Sequence, residues 1–476
     1  MEKGYPFIKW ESWYLIPLVT VAYFSFLYRH YQLDDALIYL RYIRNFHEGL
    51  GLVYNPGQRF NGLTSPLFTW LMVILTFFIR NYQLANVLLS GLFFYFSIIL
   101  GVGLVSSQKP VQLITAVFIS LTQYFYTTFG MDTCLFLLLI MCSLHLYKKG
   151  SDYFVLALSL LAVTRIEGGL LGLVLLISYI IEKGSIPPWP LLLGAAMIFL
   201  APFVFNELYY GQPLPATIAA KWGQGRSGLW GRLIFINLLA LARNFFIAPW
   251  LLISSIPLIL YGIFLSRSHP LIKKVILFLL ILFLLYSAFN LPNYHWYYAP
   301  FVFFSLIFFS IGLAGIASRR FEHSALSFSL LIIALVALLV SNRDKLEYRQ
   351  KDYDLIADWV KQYTEGDSDI AMVEVGTIGW YSNRKIVDIL GLVTPYNAGF
   401  IGQRKFHRWL TIYQPDYILV HNQLWSQEAS VDFLIRTKLY IDDPDFSIRG
   451  YRLLEKAKNT DNQMIVALIN KNFRNE

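Results

Sequence analysis

Apolar stretches long enough to cross, or nearly cross, a lipid bilayer recur from one end of this chain to past residue 340, and they leave little choice but a helical membrane body. A bilayer's hydrocarbon core takes roughly 20 apolar residues per helix and satisfies no backbone polar group, so an open sheet cannot cross it. The stretches at Trp13 to Tyr28, Leu84 to Val105, Val111 to Phe129, Thr133 to Tyr147, Tyr153 to Thr164, Gly168 to Ile181, Leu191 to Phe205, Phe246 to Leu265, Val275 to Phe289, Trp296 to Ala317 and Ser324 to Val340 predict about eleven spans. Composition agrees. Of 476 residues, 56% are hydrophobic and only 14% charged, where soluble proteins run near a quarter charged. A net charge of +9 would suggest nucleic acid for a soluble protein. In a membrane protein it reports cytoplasmic loops facing anionic headgroups, so no nucleic-acid partner is expected.

The basic residues set the orientation. Lys3 and Lys9 precede the first apolar stretch with no small-residue cleavage site after them, which reads as an anchor. A further apolar run, Pro66 to Ile79, decides the parity. If it lies on or dips into the outer face, Lys109, Lys148-Lys149, Lys183, Arg267 with Lys273-Lys274, and Arg319-Arg320 all fall on the side of Lys3. The external side then receives Asp34 to Asn81, Gly130 to Thr133, Thr164 to Glu167, Asn206 to Arg243 and Asn290 to Tyr298. Residues 1–341 are read as a membrane domain with an external loop at 29–83. Residues 342–476 are read as a small external α/β domain, with a helix at Tyr353 to Tyr363 presenting Leu355, Ile356, Trp359 and Val360. Its strands are expected at Ile370 to Val375, Lys385 to Leu390, Asp416 to Val420 and Met464 to Ile469. Neither a G-x-G-x-x-G nor a Walker motif occurs, so nothing indicates a nucleotide site.

Two adjacent carboxylates, Asp34 and Asp35, follow the first span, with Arg41 and Arg44 at a helical spacing. The pair suits acid/base chemistry beside an anion-binding face, and equally the first turn of a helix. The spans meeting at Arg165 and Glu167 are short, about 20 Å at 1.5 Å per residue, which places that turn in a cavity below the outer surface. Gly223 to Gly231 reads as a flexible loop and Leu229 to Leu241 as an interfacial helix.

The order of motifs resembles a known family. The run Asp34-Asp35-Ala36, Arg41-Tyr42, Asn45, Gly49-Leu50-Gly51-Leu52-Val53-Tyr54-Asn55-Pro56-Gly57 and Gly62-Leu63-Thr64-Ser65-Pro66-Leu67 is similar to the first external loop of the GT-C membrane glycosyltransferases. It looks closest to the bacterial terminal arabinofuranosyltransferase branch. The resemblance continues at Gly130-Met131-Asp132-Thr133, Thr164-Arg165-Ile166-Glu167-Gly168, Tyr209 to Pro215, Ala220-Lys221, Asn293 to Pro300, Val375 to Ser382 and Asp388 to Leu392. Asp132 stands where Glu is expected, and Ile166 where Pro is expected.

The resemblance implies inverting transfer of arabinofuranose or another pentose from a polyprenyl-phosphate donor to an acceptor hydroxyl on a glycan, glycolipid or protein. The setting it implies, together with the topology, is a bacterial inner membrane with the active face outward. By motif position Asp34 is the expected base, with Asp35 as its partner. Arg41, Arg44, Arg165, Lys221 and His295 are candidates for the donor phosphate. Asp132, Glu167, Tyr209, Tyr210, Trp222, Tyr294 and Trp296 are candidates for sugar or acceptor contacts. The paired carboxylates either raise one another's pKa or, with Asp132, hold a divalent metal ion; the sequence leaves both open. Mannosyl or aminoarabinosyl transfer is the alternative within the enzyme class. A lipid-linked glycan transporter and an inactive scaffold are the alternatives outside it.

Overall fold

The computed structural model describes residues 11–105, 109–228, 235, 249–292, 294–319, 343–403, 405, 408–422, 451–458 and 464–470. Helices dominate. They are α1 (Leu15–Leu27), α2 (Asp34–His47), α3 (Pro66–Phe78), α4 (Tyr82–Val105), α5 (Lys109–Leu121), α6 (Thr133–Lys148), α7 (Phe154–Thr164), α8 (Gly169–Lys183), α9 (Trp189–Tyr210), α10 (Ala216–Ser227), α11 (Pro249–Ser266), α12 (Pro270–Ala288) and α13 (Ala299–Arg319). Among the described residues four helices are long and apolar enough to cross a membrane: 82–104, 189–210, 270–288 and 295–316. The expected spans at Ser324 to Val340, and the interfacial helix at Leu229 to Leu241 apart from Phe235, lie outside the described residues.

Two expectations change here. Val111 to Phe129 is not one helix: it stops at Leu121, and a 3-10 turn over Gln123–Thr128 turns Tyr124, Phe125 and Tyr126 into the core. There Phe125 and Tyr126 meet Phe94, with ring centroids 4.8 and 5.5 Å away. Gly223 and Gly225 are not in a loop but inside α10, which ends at Gly228 in the left-handed conformation. Their missing Cβ atoms let α10 lie directly on backbone, Gly223 against Ala398 and Gly225 against Phe289 and Asn290.

Polar contacts sort the connections into two ends. Lys109 pairs with Glu11 at 3.7 Å, Lys148 donates to the Leu104 carbonyl at 2.9 Å, and Lys274 pairs with Glu182 at 2.7 Å. These basic loops share the end expected to face inward. At the other end α2 lies along α3: Tyr39 meets Phe68, and His47 contacts Thr76 at 2.8 Å and Phe77 edge-on. Helix α3 therefore runs beside α2 along its length, exposing Ile74, Phe77 and Phe78.

The polar portion begins with α14 (Arg343–Tyr363) and adds α15 (Val375–Ser382), α16 (Asn397–Gly402) and α17 (Arg408–Tyr413) to one sheet. Its strands are β1 (Asp369–Met372), β2 (Lys385–Asp388), β3 (Tyr417–Asn422), β4 (Tyr451–Lys458) and β5 (Met464–Asn470), in the order β2-β1-β3-β5-β4. The first three run parallel, while β5 pairs antiparallel with β3 and β4. The buried face of α14 is Tyr353, Ile356, Ala357 and Val360; Leu355, expected on it, is exposed. That spacing of three and four is the helical one, and Leu355 lies about 100° off it.

Candidate active site

The segment from α2 to α3 is joined to the polar portion by side chains that the sequence pattern singles out. Asp34 opens α2, yet its carboxylate caps a different helix: Oδ1 accepts from the Thr377 amide at 2.7 Å and Oδ2 from the Gly376 amide at 3.1 Å. These are the second and third residues of α15, where unpaired amides and the helix dipole favour an anion. Gly376 rests on the Asp34 backbone so closely that any Cβ would collide. Burial, and then the charges of Asp35 and Glu374, push the Asp34 carboxyl up to about 6 against the pull of the two amides.

Arg41 is buried and fully engaged. It donates to the carbonyls of Tyr54 (2.9 Å), Gly379 (2.6 Å) and Arg384 (2.6 Å), to Tyr54 Oη (3.3 Å) and to Asn55 Oδ1 (3.4 Å), with its guanidinium 4.2 Å from the Tyr54 ring centre. Asn55 completes the seam as a strand would, donating to the Ile386 carbonyl at 2.8 Å and accepting from its amide at 3.1 Å. Arg44 follows, donating to Asn383 Oδ1 at 2.9 Å while stacking on Trp380. On the far side of the loop, Gly62 packs against the Leu392 carbonyl. That segment is wound around Asp388, whose carboxylate accepts from the amides of Leu390, Leu392 and Val393 and whose pKa burial pushes up to about 6.

A second cluster forms where the short helices meet. Arg165 and Asp132, 4% and 1% exposed, pair at 2.7 Å, and Arg165 also donates to Thr133 Oγ1 at 3.2 Å and the Trp296 carbonyl at 3.4 Å. Glu167 accepts from Tyr286 Oη at 2.7 Å. Lys221, midway along α10, places Nζ 3.9 Å from the Tyr294 ring centre, and Tyr294 stacks on Trp296 at 4.7 Å. Among the described residues Lys221 forms no ion pair. The two clusters adjoin. Gly130, at φ 90°, lies against Ala36 of α2 and Asn86 two residues before Asp132, a conformation and an approach that only glycine permits. Tyr39 of α2 senses the charges of Asp132 and Arg165.

Removing one partner from the buried pair strands the other's charge. Arg165→Met is expected to destabilise the protein by about 3–5 kcal/mol, and Asp132→Asn added to it to recover much of the loss. Thermal unfolding of the purified variants in detergent measures both.

The fold recurs in solved structures. The chain superposes on ArnT from Cupriavidus metallidurans bound to undecaprenyl phosphate with a TM-score of 0.59 at 12% identity, covering 96% of this chain and 98% of that one. The chain has the fold of ArnT. Apo ArnT matches with a TM-score of 0.55 at 13% identity over 95% and 97% of the two chains. A domain family of unknown function, DUF8728, matches residues 342–467, the stretch that holds the sheet. No curated protein matches the chain by sequence.

On this ArnT fold several candidates take other places than expected. Arg41 has its donors on carbonyls and side chains of the seam, and Arg44 serves the same seam. His295 is buried with Nε2 3.3 Å from the Thr127 carbonyl. Tyr209 and Tyr210 clamp the loop backbone, accepting from the Leu52 amide at 3.0 Å and donating to its carbonyl at 2.7 Å. Trp222 is 58% exposed on the outer face of α10. Asp34, Asp35 and Asp132 do not assemble as a metal site: Asp34 faces two amides and Asp132 faces Arg165, and the described residues include no group of three metal-ligating side chains. Tyr39, Tyr54, Tyr286 and Tyr297, the last with its ring 5.1 Å from that of Tyr286 and 5.8 Å from the Arg165 guanidinium, were not expected in these clusters.

Proposed function

We propose that this protein is a membrane glycosyltransferase that takes a sugar, arabinofuranose or another pentose, from a polyprenyl-phosphate donor and passes it with inversion to an acceptor hydroxyl at the outer membrane face. The observation that carries this reading is the cation cluster of Lys221 and Arg165 beside Tyr294 and Trp296, adjoining the Asp34 turn, on a fold that in ArnT binds undecaprenyl phosphate. Lys221 holds the donor phosphate as a point charge. Arg165, oriented by Asp132, stabilises the charge that grows on the departing phosphate. Asp34 takes the proton from the acceptor hydroxyl, and burial, with the charges of Asp35 and Glu374, keeps the Asp34 carboxyl high enough to be an effective base near neutrality. Glu167, held by Tyr286, contacts the sugar. The setting that fits is a bacterial inner membrane with the polar portion outside.

The test is transfer by the purified protein in nanodiscs, with a panel of polyprenyl-phosphate sugars carrying arabinofuranose, aminoarabinose or mannose and a crude acceptor extract. Cleavage of one donor with inverted product names the sugar. Binding of lipid-linked sugars with no cleavage of any overturns the enzyme reading in favour of transport.

A further inference from the structure

We infer that Thr217 and Gln224, flanking Lys221 on α10, form a neutral subsite for the hydroxyl groups of the sugar whose phosphate Lys221 holds; this rests on the function proposed above. Positions 217, 221 and 224 stand at i, i+4 and i+7, within about 60° of one another around a helix, and span about 10 Å at 1.5 Å per residue. Thr217 and Gln224 are 6% and 1% exposed, whereas Ile218 and Trp222 point outward at 37% and 58%. The stripe is therefore the inward one.

Among the described residues the polar side-chain atoms flanking Lys221 have no hydrogen-bond partners. Gln224 Nε2, Gln224 Oε1 and Thr217 Oγ1 are buried without a hydrogen bond among the described residues. Protein interiors pair nearly all such groups, and a carboxamide with both ends unmet calls for a ligand. The helix cannot turn to relieve them. Ala216 N is tied to the Asn61 carbonyl at 2.9 Å, Asn290 Nδ2 to the Gly225 carbonyl at 3.2 Å, and Gly223 is seated on Ala398. The chemistry selects the ligand: a carboxamide and a hydroxyl both donate and accept, as sugar hydroxyls do. A phosphate only accepts and an isoprenoid chain does neither. Stacked Tyr294 and Trp296 beside Lys221 add a flat apolar surface.

The experiment compares wild type, Gln224→Leu, Thr217→Val and Lys221→Met in nanodiscs, titrated with undecaprenyl phosphate and with the same lipid phosphate bearing the sugar that wild type cleaves or, failing cleavage, arabinofuranose. Gln224→Leu is expected to weaken the sugar-bearing lipid about tenfold and leave the bare lipid within about twofold. Its ligand-free melting temperature should hold or rise, because two unmet polar atoms are gone; a residue with a purely structural role would lower it. Thr217→Val should give the same selectivity more weakly, which keeps the test alive if Gln224→Leu fails to fold. Lys221→Met should weaken both lipids. Equal loss for both lipids in Gln224→Leu, or loss for neither, overturns the subsite, while wild-type cleavage of the sugar-bearing lipid upholds the proposed function. Wild type that binds neither lipid overturns both.

Discussion

Asp34→Asn is expected to abolish sugar transfer by two orders of magnitude or more while leaving the protein folded. Removing a positioned base typically costs about 10²–10⁴ in rate, and asparagine keeps an oxygen to accept from the α15 amides. The wild-type rate should fall as pH drops through about 6, where the Asp34 carboxyl takes up its proton. Stability moves the opposite way. Folding raises this pKa from 3.8 to about 6, so the folded chain binds the proton more tightly than the unfolded one. Stability therefore declines as pH climbs through that window and is flat above it. Asn cannot ionise, so the variant should lose the Asp34 part of this pH dependence; its one oxygen caps one α15 amide while its NH2 group faces the other, so its melting temperature at pH 7.5 should stay close to that of wild type. Asp34→Ala, lacking any capping oxygen, should cost about 1 kcal/mol as well. A melting temperature that collapses in Asp34→Asn, or transfer that survives it, would remove Asp34 from the chemistry and leave it a cap.

The membrane body was legible because its signal is local. Apolar length needs no tertiary knowledge. Strands β1, β2, β3 and β5 were legible as short β-branched runs. Strand β4, Tyr451–Lys458, was not, because Glu455, Lys456 and Lys458 make it read as a solvated segment. The site was legible in its residues and much less in their tasks. Asp132, Arg165, Glu167, Lys221, Tyr294 and Trp296 lie in one cluster. Arg41 looked like an anion binder because arginine beside an acid pair usually is one, and only the fold shows three carbonyls from distant segments closing on it. Gln224 gave no signal, since a lone Gln between two glycines reads as loop until the helix packs.

Arg41→Met separates the two roles that residue can have. A guanidinium that organises the seam holds the carbonyls of Tyr54, Gly379 and Arg384 at once, and each buried acceptor left without a donor costs about 1–3 kcal/mol. The variant should thus lose 3 kcal/mol or more in all, among the larger effects of a single substitution. The loss should appear as a lower melting temperature and as faster proteolysis at the turn around Asn383, where α15 and β2 meet the loop. Arg41→Lys should not rescue it, because one ammonium cannot reach carbonyls spread around a planar fork. A residue that bound the donor phosphate would behave otherwise: its loss would weaken undecaprenyl phosphate binding at unchanged melting temperature, and lysine would restore much of it. Reading both quantities on the same two variants decides the matter. The expected result, unfolding without a change in the folded fraction's affinity for lipid phosphate, leaves Lys221 and Arg165 as the phosphate's partners and makes the first external loop the frame on which the polar portion is mounted.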